Sequence, residues 1–257
     1  MKAALFLPAF ATLLIAACST NNPIDKKTDL EAEGSKGKVK SVREISYKAI
    51  DTLRTIRKED IVRYGNPSSL VKYNNQGYTT EYIEYFGDRL EGRSIYQYED
   101  TKLIKANSYN GNDSLVGYTI YKYNKNLITD IHYLPDGEVE MKYVHKYDKE
   151  GREITVYAYA DDGGLELKLD FKYDNEGRVI EQKQICRGNS FYEKKIYKYD
   201  SNEMVIEEDS EFDAGNEIGH SLTTFKYKID KHGNWIERIR YNGRFITITE
   251  RQIEYYE

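Results

Sequence analysis

The stretch Lys172-Tyr173-Asp174-Asn175-Glu176-Gly177-Arg178-Val179 is the clearest copy of a unit that recurs along this chain of 257 residues. One tyrosine precedes the turn of each copy, and successive tyrosines lie 25, 25, 24, 26 and 26 residues apart. These tyrosines are Tyr73, Tyr98, Tyr123, Tyr147, Tyr173 and Tyr199. A chain built from one repeated unit is expected to form a repeat fold, which offers an extended surface more readily than a single catalytic pocket.

A second series of turns lies between these copies. Its glycines are Gly87, Gly111, Gly137, Gly163, Gly188, Gly215 and Gly243. Glycine, Asn and Asp accept left-handed backbone angles at low cost, so both series mark turns. The segments between the turns alternate Tyr, Ile, Val, Thr and Phe with polar residues, as strands do. Each unit is therefore predicted to be a β-hairpin, and counting the turns gives roughly 17 strands.

The fold class predicted from this pattern is all-β, a long antiparallel meander of hairpin repeats of about 25 residues. Residues 39–50 and 53–64 continue the pattern as an opening hairpin, and residues 245–256 continue it as a closing strand. Strand twist accumulates, and sheets of more than about ten strands curl, split or close. We therefore expect a spiral, a half-shell or a wide barrel.

The repeats resemble those of the YD-repeat family, also called RHS repeats. The signature of that family is Tyr-Asp, two residues, Gly, then Arg or Asn and an aliphatic residue. Residues 147–152 and 173–179 match it, Gly233-Asn234-Trp235 matches its second half, and the units at 98, 123 and 199 lack the glycine. The resemblance covers about residues 70–240. It implies hairpins that coil into a sheet ribbon, as in bacterial surface, adhesion and toxin-delivery proteins.

The N-terminus is predicted to be an export signal rather than a part of the fold. Lys2 is followed by an apolar run, Ala3–Ala17, that is too short to span a bilayer as a stable helix. The sequence Leu14-Ile15-Ala16-Ala17-Cys18 resembles the lipobox of bacterial lipoproteins. That resemblance implies cleavage before Cys18, acylation of this residue and, because Ser19 follows it, placement at the outer membrane. Whether the protein would lie on the periplasmic or the surface side stays open.

These features divide the chain into three parts. Residues 1–17 are the predicted lipoprotein signal peptide, residues 18–38 a polar and flexible tether, and residues 39–257 the repeat domain. Lipid chains at Cys18 would anchor the protein to a membrane without spanning it.

The alternation of side chains along a strand separates the tyrosines from the lysines. Most of the tyrosines follow a lysine, so the two residue types are predicted to point to opposite faces of the sheet. Acidic residues after the first turn are expected to pair with the lysines across strands. They are Glu81, Asp130, Glu181, Glu207 and Glu237. The tyrosines, with Trp235 after the last Gly turn, are either packed as core or form an aromatic face that binds sugars or peptides.

The sequence offers no constellation that predicts catalysis. His132, His145, His220 and His232 show no metal-binding spacing, and we predict no metal site or cofactor. No nucleophile elbow, phosphate-binding loop or dinucleotide fingerprint occurs. The formal net charge is −5, without the basic stripe that nucleic-acid binding requires. Cys186 is expected to be an inert, partly buried thiol.

The leading functional prediction is a non-enzymatic binding or scaffold protein of the cell envelope, anchored by lipid at Cys18, that presents its sheet to a glycan or an envelope protein. Two alternatives remain. One is a glycoside-cleaving lipoprotein, because paired carboxylates are common in the sequence. The other is a structural spacer or the immunity partner of a toxin. Oligomeric state is not predicted.

Overall fold

The computed structural model describes residues 27–52, 55–61, 68–215, 217–243 and 245–257. The predicted signal peptide and the predicted acylation site, Cys18, lie outside these residues. The described part contains the short helix α1 (Asp29–Ala32), one 3₁₀ turn and seventeen strands. The strands are β1 (Val39–Thr52), β2 (Thr55–Ile61), β3 (Ser68–Tyr73), β4 (Thr79–Phe86), β5 (Arg89–Glu99), β6 (Lys102–Asn110), β7 (Leu115–Asn124), β8 (Leu127–Tyr133), β9 (Val139–Tyr147), β10 (Glu153–Ala160), β11 (Leu165–Tyr173), β12 (Val179–Cys186), β13 (Tyr192–Tyr199), β14 (Val205–Asp213), β15 (Ile218–Ile229), β16 (Trp235–Asn242) and β17 (Phe245–Tyr255).

Strand β1 closes the sheet. Along one edge it pairs antiparallel with β17, from Val39 opposite Tyr255 to Ala49 opposite Ile246. Along its other edge it pairs with β3 through residues 41–44 and with β2 through residues 47–52. From β3 to β17 each strand pairs with the next, so β1 and β3–β17 form a closed barrel of sixteen strands. The wide barrel among the predicted shapes is confirmed, and the spiral and the half-shell are wrong, because β1 pairs with both β17 and β3 and so joins the two ends of the sheet.

The two faces of the barrel differ in the way that the alternation predicted. The repeat tyrosines lie on the inner face, where crowding on the concave side buries small side chains such as Thr223 (1% exposed) and Ser46 (2% exposed). The lysines before them lie on the outer face, and the Lys172 side chain is 64% exposed. The expected cross-strand pairing is found on the outer face, in Lys72–Glu81, Lys172–Glu181, Lys198–Glu207 and Lys228–Glu237. Asp130 is the exception, because the register of β8 turns it inward.

The first-turn motif has a local cause in the aspartate. Asp174 Oδ1 accepts the backbone N–H groups of Glu176 (3.1 Å) and Arg178 (2.9 Å), which folds the chain back while Gly177 takes a φ of +82°. The same double acceptance occurs at Asn74, Asp148, Asp200 and Asp230 in this turn series, and at Asn110 in the second series. In the unit at 199, which lacks the glycine, Glu203 takes the left-handed angle instead (φ +65°).

The units at 98 and 123, which also lack the glycine, have a different kind of turn. There the strands β5 and β6, and likewise β7 and β8, are joined by two-residue turns, since Glu99 pairs with Lys102 and Asn124 with Leu127. Asp100 and Lys125 supply the positive φ that such short hairpin turns require.

The N-terminal rim segment, residues 28–37, is folded where the sequence analysis predicted a flexible tether over residues 18–38. Thr28 and Glu31 form a reciprocal capping box at the start of α1. Leu30 is buried in a cluster with Val39, Val42 and Tyr73. One apolar side chain and a capped turn therefore hold this polar stretch to the barrel. The polar composition of the stretch did not predict this attachment. Neither α1 nor any other described helix is long and apolar enough to cross a membrane.

Candidate binding site in the barrel interior

The repeat tyrosines form a band inside one end of the barrel, called here the tyrosine end. Their hydroxyls do not point into open space: four of the inner-face tyrosines donate to a carbonyl oxygen of the preceding hairpin. The bonds are Tyr123 to Leu103 (2.9 Å), Tyr173 to Glu153 (2.6 Å), Tyr199 to Val179 (2.6 Å) and Tyr227 to Val205 (2.8 Å). Burial raises the pKa of both Tyr123 and Tyr199 to about 12.

Each of these carbonyls lies where a strand has gained one residue. Tyr173 pairs with Val179 while Lys172 pairs with Glu181, so one residue of β12 is left without a partner, as in a β-bulge. The same shift occurs beside Tyr199 and beside Glu153. A bulge interrupts the ladder and leaves a carbonyl to satisfy. The tyrosine hydroxyl of the next repeat satisfies it, which explains why the tyrosine recurs at this one place.

The arginine of the repeat motif completes the link between hairpins. Arg178 forms an ion pair with Asp174 in which both Nε and Nη2 donate to Oδ2, each at 2.7 Å. Its guanidinium also lies 5.0 Å from the ring centroid of Tyr199 in the next repeat. Arg152 repeats the arrangement over Tyr173. Because ring face, hydroxyl and arginine are all engaged, these two tyrosines hold repeats together.

The remaining predicted tyrosines contact other groups. The Tyr73 hydroxyl donates to Glu33 of the rim segment (3.0 Å), and the Tyr98 hydroxyl donates to Asp29 (2.9 Å). Tyr147 is 3% exposed. Its hydroxyl lies 3.4 Å from Glu153 Oε1. The structure thus brings all six predicted tyrosines to one inner band but leaves their rings and hydroxyls mostly packed.

Trp235 also lies on this inner band, in a different setting. Its ring is packed between two arginines, with guanidinium-to-centroid distances of 3.6 Å for Arg251 and 5.0 Å for Arg238. Tyr227 meets it edge-on, with centroids 6.2 Å apart. Trp235 is therefore part of a cationic and aromatic cluster, which the sequence analysis did not predict.

A second ring of aromatic side chains lies deeper inside the barrel, and sequence reasoning missed it as a group. It occupies the position two residues before the repeat tyrosine, and therefore the same face. Its members are Tyr96, Tyr121, Phe171, Tyr197 and Phe225. The pattern of an aromatic at every second position could have revealed them. Between them the inner wall carries neutral polar groups such as Gln182, Gln184, Ser94 and Ser108. Such a wall, aromatic with scattered polar groups, is typical of ligand-binding surfaces.

A buried charged cluster lies on the inner wall of β8–β10. His145 is held between two carboxylates, with Nε2 2.7 Å from Asp130 Oδ1 and Nδ1 2.5 Å from Glu153 Oε1. His132 Nε2 lies 2.9 Å from Asp130 Oδ2. Burial alone would lower the pKa of His145, but the hydrogen bonds to both carboxylates raise it to about 10. Burial alone would raise the pKa of Asp130, but hydrogen bonds from the two histidines hold it below its usual value.

Sequence reasoning treated the four histidines as unrelated, because His132 and His145 are far apart in the chain. The antiparallel register places Ile128 opposite His145 and Tyr143 opposite Asp130, which brings the cluster together. Among the described residues, no group of three or more His, Cys, Asp or Glu side chains is arranged to hold a metal ion. The thiol of Cys186 is partly buried and points to the inner face.

Comparison with known proteins supports the fold and little else. The chain matches no known family model and no curated protein. Among solved structures it is similar to a porin-like protein from Bacteroides uniformis, with a TM-score of 0.55 and 13% identity over 84% of this chain and 96% of that one. A porin-like protein from Bacteroides vulgatus matches at a TM-score of 0.37 and 11% identity, covering 85% of this chain and 98% of that one. The chain shares the antiparallel closed barrel of the first protein.

Proposed function

We propose that this chain is a lipid-anchored binding protein of the cell envelope that holds its ligand inside the barrel. One observation carries the proposal: the inner face combines aromatic rings with neutral polar and charged side chains, whereas the lysines that precede the repeat tyrosines are paired with acids on the outer face. A closed barrel of this strand number is too wide for interior side chains to fill, as they do in eight-stranded barrels. The interior therefore offers both space and a ligand-binding surface.

The outer face supports a barrel that stands in water beside the membrane. Lys168, Lys183 and Lys194 occupy the middle of three adjacent strands on this face. Placing Lys or Arg at the midplane of a bilayer costs about 2–4 kcal/mol each in outer-membrane barrels. From the similar porin-like structure we therefore carry over only a closed barrel located at the cell envelope. The lipid at Cys18 would be the contact of this barrel with the membrane.

The rim segment gives the anchored barrel an orientation. Thr28, its first residue, hydrogen-bonds within α1 at the tyrosine end, and Leu30 N–H donates to Gly77 O there (3.1 Å). Cys18 lies ten positions before Thr28, and a chain of that length reaches at most about 35 Å. The tyrosine end would then face the membrane, and the opposite mouth would face the ligand.

The glycoside-cleaving alternative has some support in the buried carboxylates Asp130 and Glu153. Yet both are bound to one imidazole, His145. A glycosidase needs one carboxyl with a raised pKa to act as general acid, and the pKa of Asp130 is lowered. Binding without cleavage therefore fits this wall better.

The proposal is tested in two steps. First, full-length protein and a Cys18→Ala variant are expressed with labelled palmitate; loss of label and of membrane association in the variant is expected, and an acylated, membrane-bound variant would refute the anchor. Second, Trp235 is the single tryptophan, so its fluorescence reports on the interior. We expect saturable fluorescence changes with oligosaccharides. Failure of every saccharide and envelope extract to change it would favour the spacer or toxin-immunity alternative.

A further inference from the structure

Two arginines, called here the interior arginine pair, lie on the inner face of β16. Arg238 is opposite Tyr227 on one side and Thr249 on the other. Arg240 is opposite Phe225 and Thr247. Residues two apart on a strand share a face, so both guanidinium groups point into the barrel.

The cross-strand neighbours of this pair carry no charge, in contrast to those of other interior charges. Arg251 is bound to Glu44 (2.6 Å), and Lys195 lies 3.6 Å from Glu193 and 3.4 Å from Glu208. Among the described residues, neither arginine of the pair has a carboxylate within 4.0 Å. The Nε–H of Arg238 is buried and lacks a hydrogen-bond acceptor within the described part of the chain.

Aromatic rings hold Arg238 in place. The Arg238 guanidinium lies 5.0 Å from the Trp235 centroid and 5.9 Å from the Phe225 centroid. Such packing fixes the planar group while leaving its positive charge unneutralised. Two like charges on one face of a strand repel each other, and an anion between them would remove that repulsion.

We propose that Arg238 and Arg240 bind the oxyanion of an acidic saccharide, whose sugar ring lies against the aromatic side chains of the inner wall. A guanidinium presents parallel N–H donors that match a carboxylate or a sulfate ester. The Thr247 hydroxyl, opposite Arg240, is a further donor. This inference rests on the proposed binding function and names the ligand class for it.

The test compares acidic and neutral saccharides on full-length protein in detergent. Trigalacturonate supplies the carboxylate, galactose 6-sulfate supplies the sulfate ester, and galactotriose is the neutral control. The variants are Arg238→Gln/Arg240→Gln and Arg240→Lys. Lys226→Gln serves as the control, because this exposed lysine lies on the outer face of the neighbouring strand and its substitution removes a positive charge outside the barrel. Circular dichroism melts verify that each variant folds.

We expect the wild-type protein to bind at least one acidic saccharide more tightly than galactotriose. The double variant should lose roughly 10- to 100-fold in affinity for the acidic ligand. Lys226→Gln should bind like the wild type. Arg240→Lys should lose part of the affinity, because lysine keeps the positive charge but lacks the parallel N–H donors of the guanidinium. Which acidic probe binds distinguishes carboxylate from sulfate.

Two results would overturn the inference in distinguishable ways. If galactotriose binds as tightly as both acidic probes and the variants bind all three equally, the arginines are not the site, while the interior binding function stands. If Trp235 fluorescence in the wild-type protein responds to no saccharide, the inference fails, and if it also responds to no envelope extract, the proposed function fails with it. Should the double variant fail to fold, Arg240→Lys is the deciding variant. If it binds the acidic probe as tightly as the wild type, the site does not depend on the guanidinium group and the inference is contradicted.

Discussion

Removing the hydroxyls of the tyrosine band is the sharpest test of how this barrel is held together. The perturbation is Tyr→Phe at the four positions whose hydroxyls donate to a bulge carbonyl of the preceding hairpin. They are Tyr123, Tyr173, Tyr199 and Tyr227. Each change deletes one oxygen and leaves the ring and the strand pairing in place.

The expected loss follows from the geometry. A neutral hydrogen bond contributes about 0.5–1.5 kcal/mol, and leaving its buried carbonyl without a donor costs about 1–3 kcal/mol. Each single variant should therefore lose about 1–2 kcal/mol. Tyrosines two strands apart are about 10 Å apart, a distance at which effects usually add. The fourfold variant should lose about 4–8 kcal/mol, a large part of the 5–15 kcal/mol that stabilises a typical protein.

The assay is urea unfolding followed by circular dichroism, with all variants measured at one pH. Tyr157→Phe is the matched control, since Tyr157 lies on the outer face opposite Lys168 and stacks on Tyr159. We expect this control to unfold at nearly the wild-type urea concentration. If the fourfold variant unfolds together with the control, the hydroxyl bonds do not stabilise the barrel and the explanation of the recurring tyrosine is wrong.

Three further predictions concern the turn, the charged cluster and the rim segment. Asp174→Ala should cost about 1–2 kcal/mol in urea unfolding, because two backbone N–H groups lose their acceptor; a cost no larger than that of Asp174→Asn would contradict this. The pKa of His145 is raised to about 10, so its stabilisation is complete below about pH 6.5 and is lost as pH rises through 10; His145→Gln should flatten that limb of the stability curve. Burial raises the pKa of Glu33 to about 7, so the rim segment should be more stable at pH 5 than at pH 8. Its amides should be better protected from hydrogen exchange at pH 5, after correction for intrinsic exchange. A Glu33→Gln variant with the same pH dependence would refute the assignment.

Local features of this fold could be predicted from sequence because they depend on residues close together. The two turn series, the strand count and the opposite faces of tyrosine and lysine all follow from period and turn chemistry. Closure could not be predicted, because the pairing of Val39 with Tyr255 joins the ends of the chain and has no local signal. Pairing of the first and last strands depends on the curvature accumulated over every strand between them.

The candidate site was harder to predict than the fold. The tyrosine positions were found, but their hydroxyl bonds depend on bulges whose register a single sequence does not fix. The cluster of His145 with Asp130 and Glu153 depends on the same register. Arg238 and Arg240 were passed over because a charged side chain on a strand is usually assigned to solvent, and only closure of the sheet gives this strand an interior.

The hydroxyl bond between successive hairpins has a consequence for how such barrels can change in evolution. The hairpins that meet at Tyr173 and at Tyr199 are attached by the same aspartate, arginine and tyrosine contacts, so a whole unit of this kind can be gained or lost without a new kind of joint. One added hairpin brings two strands and widens the barrel by about 3–4 Å in diameter. The bore of the barrel is therefore set in steps by duplication of about 25 codons, and ligand size can be selected through repeat number while the joint between repeats stays the same.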